Sequence, residues 1–206
     1  MHPPFRCELV SWTQVQRLAH LVAMKVRGGA GRPGTIVAIG RGGWVPGRLL
    51  CDFLDVTDLR SIRIVHYTAG ADKQPAARLA EGLAGDLDGA DVLLVDDISD
   101  TGDTLELALS HLVERGAGSV RTAVLHHKRT STLVPDFFGA RILKWRWIIY
   151  PWAVVEDIGG FLARASISPD DPDSAARFLR REYGLNISPR LLNRILIHLC
   201  GGAHHG

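Results

Sequence analysis

Apolar residues recur along this chain with two distinct periods. Across residues 11–26 they fall every three or four positions. Val15, Leu18, Ala19, Val22 and Val26 share one face, which predicts a helix. Ser11 and Gln14 have capping-box spacing at its start, and Gly28-Gly29 mark its end. Residues 35–39 are a short apolar run and read as a strand. Gly40-Arg41-Gly42-Gly43 follows, and Pro46 fits the first turn of a helix through residue 54. Residues 61–67 read as a strand. Val92-Leu93-Leu94-Val95 reads as a strand covered on both faces. A helix then runs from 104 to 115, with Leu105, Ala108, Leu109, Leu112 and Val113 inward and Gly116 as its stop. Residues 119–125 are a further strand. This alternation predicts an α/β fold with a mainly parallel, twisted sheet flanked by helices and joined by right-handed crossovers. Residues 68–89 hold Gly, Ala, Pro and few large apolar side chains. They read as a long loop, of the kind that is usually functional or disordered. Residues 169–183 have a helical pattern, with Ala176, Phe178, Leu179 and Tyr183 as apolar contacts. Ser188 and Pro189 open a second helix through residue 200, which completes a helical hairpin.

Composition narrows the class. The 206 residues fit one domain with a modest appendage, and 46% hydrophobic content is ample for a core. A formal charge of +2 gives no footing for nucleic-acid binding. Cys7, Cys51 and Cys200 are odd in number and lack CxxC spacing. They point to a reducing compartment, hence a cytoplasmic protein, and away from a disulfide scaffold or zinc site. Neither a signal peptide nor a membrane span is expected. Only four residues are Lys, so Lys128, at the carboxyl end of a strand, stands out.

The densest chemistry lies at residues 92–104. A buried strand ends on Asp96 and Asp97, and Ser99, Asp100, Thr101, Gly102, Asp103 and Thr104 lead into a helix. Open α/β sheets bind ligands at the carboxyl ends of their strands. Two carboxylates offer acceptors for sugar hydroxyls or a metal. The Gly-containing turn and the helix N-terminus offer donors to a phosphate. An Asp-Asp pair alone is commonly a solvated loop, and Thr-Gly alone a common turn. The ordered set suits a phosphorylated sugar. Gly40-Arg41-Gly42-Gly43 is a second strand–Gly-rich-turn–helix unit, with neither GxGxxG nor P-loop spacing. His126-His127 sits at a strand end, but neighbouring strand residues point to opposite faces, so a shared metal site is not expected. They read as ordinary surface or supporting histidines.

The 92–104 segment resembles the phosphoribosyl-pyrophosphate (PRPP) signature of type I phosphoribosyltransferases. The resemblance covers about residues 11–157 and is closest to the compact xanthine and hypoxanthine–guanine branch. It implies a core with a small hood over residues 1–160, and a C-terminal helical extension over 161–206. It implies that Asp96 and Asp97 face the ribose hydroxyls, with Asp97 also near Mg²⁺, and that residues 99–104 cradle the 5′-phosphate. Arg41, Gly42 and Gly43 match the pyrophosphate loop, and Asp100 the general acid/base. The family's mobile loop corresponds to residues 68–89, with Tyr67 and Lys73 as candidates to touch ligand. Trp147-Ile148-Ile149-Tyr150-Pro151-Trp152 resembles the purine-recognition segment, with Trp147 stacking on the base, Ile148 beside it and Lys128 donating to the purine 6-oxygen. The acid expected after the second Trp is Ala153 here, with Glu156 and Asp157 further on. The expected reaction joins hypoxanthine, guanine or xanthine to PRPP with Mg²⁺, in a homodimer or higher homo-oligomer. Two other readings stand beside it: a nucleotide-sensing regulator on the same fold, and the same chemistry on adenine or orotate.

Overall fold

The computed structural model describes residues 5–29, 31–67 and 76–200. In chain order the elements are β1 (Cys7–Leu9), α1 (Trp12–Gly29), β2 (Thr35–Gly40), α2 (Trp44–Leu54), β3 (Leu59–Tyr67), β4 (Ala76–Glu81), β5 (Asp91–Ser99), α3 (Asp103–Glu114), β6 (Ser119–Lys128), β7 (Phe137–Ile142), β8 (Trp147–Ile149), α4 (Val154–Arg164), α5 (Pro172–Tyr183) and α6 (Pro189–Cys200). They form two compact units, residues 13–144 and residues 1–12 with 145–206.

The larger unit is built on a six-stranded sheet in the order β4-β3-β2-β5-β6-β7. Every pairing is parallel except β3 with β4. The apolar run of β5 explains its central place, because alternate residues serve two cores. Val92 and Leu94 pack with Leu105, Ala108 and Leu112 of α3 on one face. Leu93 and Val95 pack with Val22 and Val26 of α1 and Leu50 and Leu54 of α2 on the other. Each such side chain contributes about 1.5–3 kcal/mol when fully buried.

Three expectations change. Residues 76–81 of the expected loop are strand β4, antiparallel to β3. Ala77 and Leu79 lean on the core while Arg78 and Ala80 face outward. Alanines on an edge strand carry too little apolar contrast to register as a strand. The remainder of that loop up to residue 75, with Lys73, and the Tyr67 side chain lie outside the described residues. Val113 is 64% exposed rather than inward, because the buried stripe runs Leu105, Ala108, Leu112 and Val113 sits a further 100° around the helix. Of the two readings for His126 and His127, surface or supporting, their burial removes the first.

Strand β7 was hidden by Gly139. A Cβ there would lie 2.8 Å from the Leu125 carbonyl oxygen and 3.0 Å from Leu18, so the glycine marks close approach rather than a break.

In the smaller unit, β1 and β8 pair in parallel, Cys7 opposite Trp147. A separate core joins Ile149 to Ile158, Phe161 and Leu162 of α4, Leu179 of α5 and Leu192, Ile195 and Leu196 of α6. The α5 N-cap is Asp171, whose carboxylate accepts from the Ser174 N–H at 2.9 Å.

Candidate active site

Parallel pairing puts the carboxyl ends of β2, β5 and β6 side by side, and the predicted polar residues follow those ends. The loop after β2 is packed against β5. A Cβ on Gly43 would lie 2.3 Å from the Val95 carbonyl oxygen, and one on Gly42 would lie 2.6 Å from the Asp97 carboxylate atoms. Hence the glycines at 42 and 43 let the Arg41 loop and the acidic pair occupy one place. The Gly40–Arg41 peptide is cis.

Asp96 is 8% exposed, and the Asp97 N–H donates to its Oδ1 at 2.9 Å. Burial, and then the neighbouring Asp97 charge, push the Asp96 carboxyl well above the ordinary carboxylate range. An incoming cation or hydroxyl donor would relieve that cost. Mg²⁺ ordinarily takes one or two carboxylates and completes its shell with phosphate oxygens and water. The acidic pair is a hard-oxygen donor set of that kind, so the residues fit the ion.

The following loop is held by a hydroxyl run absent from the sequence-based candidates, Thr130-Ser131-Thr132. Thr130 Oγ1 donates to the Asp100 carbonyl at 2.9 Å. Ser131 Oγ meets Ser99 Oγ at 2.6 Å, and the Thr132 N–H donates to the Thr101 carbonyl at 2.7 Å. Gly102 has φ +108 and faces this run, where a Cβ would lie 2.6 Å from Thr132 Oγ1. Gly102 precedes α3, and Asp103 is in its first turn, where an acid suits the helix dipole. Thr104 Oγ1 meets His66 Nε2 at 3.0 Å. A Ser/Thr run two residues past Lys128 was the available sequence signal, but such runs ordinarily read as plain turns.

Lys128 ends β6 and is 2% exposed. Its Nζ lies 2.6 Å from Asp100 Oδ2, so the proposed acid/base and the proposed base-recognition residue form an ion pair. Nothing in the sequence spacing of 28 residues indicated it.

Trp147 and Ile148 belong to the other unit. Trp147 is 38% exposed and Ile148 is buried. The Trp147 indole N–H donates to Asp157, a residue in the first turn of α4. Burial pushes the Asp157 carboxyl up to about 6; the Trp147 bond opposes this, Glu156 adds to it and Arg164 opposes it. A carboxyl raised in the folded state lends stability below its unfolded value of 3.8, and loses it as pH rises through about 6. The melting temperature of wild type relative to Asp157→Asn should therefore fall between pH 4 and pH 7. Parallel melting curves across that window would remove this role.

The family described as Phosphoribosyl transferase domain matches residues 11–157. A xanthine-guanine phosphoribosyltransferase of Ruegeria sp. (strain TM1040) is 30% identical over 151 residues, covering 69% of this chain and 83% of that protein. A purine phosphoribosyltransferase structure from Pyrococcus horikoshii is 32% identical with TM-score 0.63, covering 71% of this chain and 93% of the other. A hypothetical protein from Neisseria gonorrhoeae with bound ppGpp is 27% identical with TM-score 0.66, covering 80% and 99%. With its matched segment spanning both Gly-containing loops, the acidic pair and Lys128, the chain belongs to the phosphoribosyl transferase family.

Proposed function

We propose that this chain is a purine-salvage phosphoribosyltransferase that joins a 6-oxopurine to PRPP, giving the nucleoside 5′-monophosphate and pyrophosphate. The observation that carries it is the Asp100–Lys128 pair, set beside the phosphate loop at the carboxyl edge of the sheet. Asp96 and Asp97 hold the ribose hydroxyls, Ser99 to Thr104 hold the 5′-phosphate, and Arg41, Gly42 and Gly43 receive the pyrophosphate. A ring nitrogen of the base attacks the anomeric carbon as the carbon–oxygen bond to pyrophosphate breaks. Positive charge builds on the ribose and negative charge on the leaving group, which Arg41 and nearby N–H groups stabilise. Asp100 takes the proton that the purine ring releases. Asp97 would hold Mg²⁺, which would supply charge neutralisation when bound.

Lys128 sets the choice of base. An ammonium carries three donors and no acceptor, and Asp100 takes one donor. It suits a 6-oxygen and meets adenine's amino group donor to donor. An unpaired buried donor costs about 1–3 kcal/mol, roughly tenfold to a hundredfold in discrimination. Trp147 stacks on any flat base, and Ile148, the next residue of β8, completes the purine-binding segment. We further place the protein in the cytoplasm as a homodimer or higher homo-oligomer. Residues 1–160 form the transferase domain with its hood, and 161–206 its helical extension. No described helix is long and apolar enough to cross a membrane.

The test is pyrophosphate release from PRPP and Mg²⁺ with hypoxanthine, guanine, xanthine, adenine and orotate. One of the three 6-oxopurines should be used best and adenine poorly, and Lys128→Ala should narrow that gap while Trp147→Ala weakens all purines alike. Adenine as the best substrate would remove the Lys128 assignment. No release with any base would favour a nucleotide-sensing protein, a reading that the ppGpp-bound Neisseria neighbour supports.

A further inference from the structure

The smaller unit gathers positive charge at one place. Arg177, Arg180 and Arg181 are exposed on the last two turns of α5, and Arg6, just before β1, brings a fourth guanidinium. Together they line one concavity of about 570 Å³. Arg6 is seated over the end of α5. A Cβ on Gly184, which closes that helix at φ +70, would lie 2.7 Å from Arg6 Nη1. Basic residues at a helix C-terminus have an ordinary explanation in the helix dipole. That dipole is worth about half an elementary charge, too little for four guanidiniums. Glu182 engages Arg181 at 2.5 Å, and the Ser174 hydroxyl accepts from Arg177 at 3.0 Å. No carboxylate lines the concavity among the described residues.

An adjoining cavity of about 450 Å³ shares Arg177 and Arg180 but has different walls. Leu185 and Ile187 give it an apolar floor, backed by the buried Leu179, and Asn186 and Ser188 give it polar edges just ahead of α6. Both volumes lie within the range of small-molecule sites. Guanidinium forks match phosphate oxygens in pairs, so four of them suit a ligand with several charges close together. The apolar floor with an amide beside it suits a flat heterocycle. The patch is compact and the chain carries only +2 overall, which disfavours an extended nucleic acid.

We infer that the α5–α6 hairpin binds a nucleoside polyphosphate, with its phosphates on Arg6, Arg177, Arg180 and Arg181 and its base over Leu185 and Ile187. Every one of these residues lies outside the segment 11–157 that matches the family.

Calorimetric titration of the full-length protein with ATP tests this. ATP is chosen because adenine is the base that the Lys128 reading disfavours at the active site. Wild type should bind one equivalent that Arg177→Gln/Arg180→Gln weakens tenfold or more, in keeping with the loss of two charge-assisted bonds. Turnover of PRPP in the absence of ATP should be unchanged in that variant. Inorganic tripolyphosphate should bind the same site several-fold more weakly than ATP. Equal ATP affinity in wild type and variant overturns the site, and tripolyphosphate binding as tightly as ATP overturns the nucleoside part. Should the double variant fail to fold, Arg180→Ser alone serves, and ATP affinity unchanged in it overturns the proposal. An error in the base preference of the active site would leave the difference between wild type and the arginine variants intact.

Discussion

Asp100→Asn is expected to lower kcat by about a hundredfold or more, within the usual range for groups that move a proton in the transition state. The substitution is well suited to isolating chemistry. Asparagine keeps the shape of the side chain and one acceptor oxygen, which can serve Lys128 Nζ, now 2.6 Å from Oδ2, while its amide N–H turns to Thr130 Oγ1, now 3.2 Å from Oδ1, whose hydroxyl oxygen can accept. The backbone contacts that hold the loop, Thr130 to the Asp100 carbonyl and Thr132 to the Thr101 carbonyl, do not involve the carboxylate. PRPP affinity should thus be largely retained while proton exchange with the purine is lost. Single-turnover measurements at saturating PRPP separate the outcomes. Normal single-turnover chemistry with impaired PRPP binding would make Asp100 a positioning residue instead.

Gly43→Ala is expected to destabilise the fold by about 3 kcal/mol, the high end for inserting one methyl group into a packed place. For a chain of this length that is a drop of roughly 10 °C in melting temperature. The backbone itself is no obstacle, since Gly43 has φ −71 and ψ −13, which any residue adopts. The obstacle is space. The new Cβ would lie 2.3 Å from the Val95 carbonyl oxygen and 2.8 Å from the Ile39 amide nitrogen and carbonyl oxygen, all backbone atoms of central strands. Gly42→Ala is the informative contrast. Its Cβ would meet the Asp97 carboxylate, a side chain that can rotate away. Its melting temperature should stay near wild type while its KM for PRPP rises about tenfold, the effect of losing one net charged hydrogen bond. A stable Gly43→Ala protein with unchanged kinetics would show that the loop can move off β5, and would remove the packing argument for both glycines.

Much of the fold was legible because its signals are local. The run Val92-Leu93-Leu94-Val95 is uniformly apolar because both sheet faces need it, and β5 is accordingly central. The strand-to-helix rhythm implied parallel pairing, and every strand pair of the large sheet but one is parallel. The exception, β4, has no strand signature in the sequence because its Ala-rich edge buries only Ala77 and Leu79. Val113 lies one position beyond the buried stripe of its helix, since periodicity locates a stripe better than its edge.

The candidate site divides in the same way. Asp96, Asp97, the Arg41 loop and the phosphate loop could be named from sequence, because each is a contiguous motif whose residue types follow from the chemistry of sugar and phosphate. The arrangement of those motifs could not. That Gly42 is vacant space for Asp97, that Thr130-Ser131-Thr132 supports the loop after Asp100, and that Asp157 receives the Trp147 indole are all contacts between separate segments. So is the ion pair of Asp100 with Lys128, made where β5 and β6 end side by side. By itself, then, the sequence determined which segments become strands and helices and which local motifs carry charge, because those follow from short-range periodicity and turn chemistry. Only the tertiary structure decided which charges meet and which are buried. Electrostatics acts through distance and desolvation, and neither is written in the order of residues along the chain.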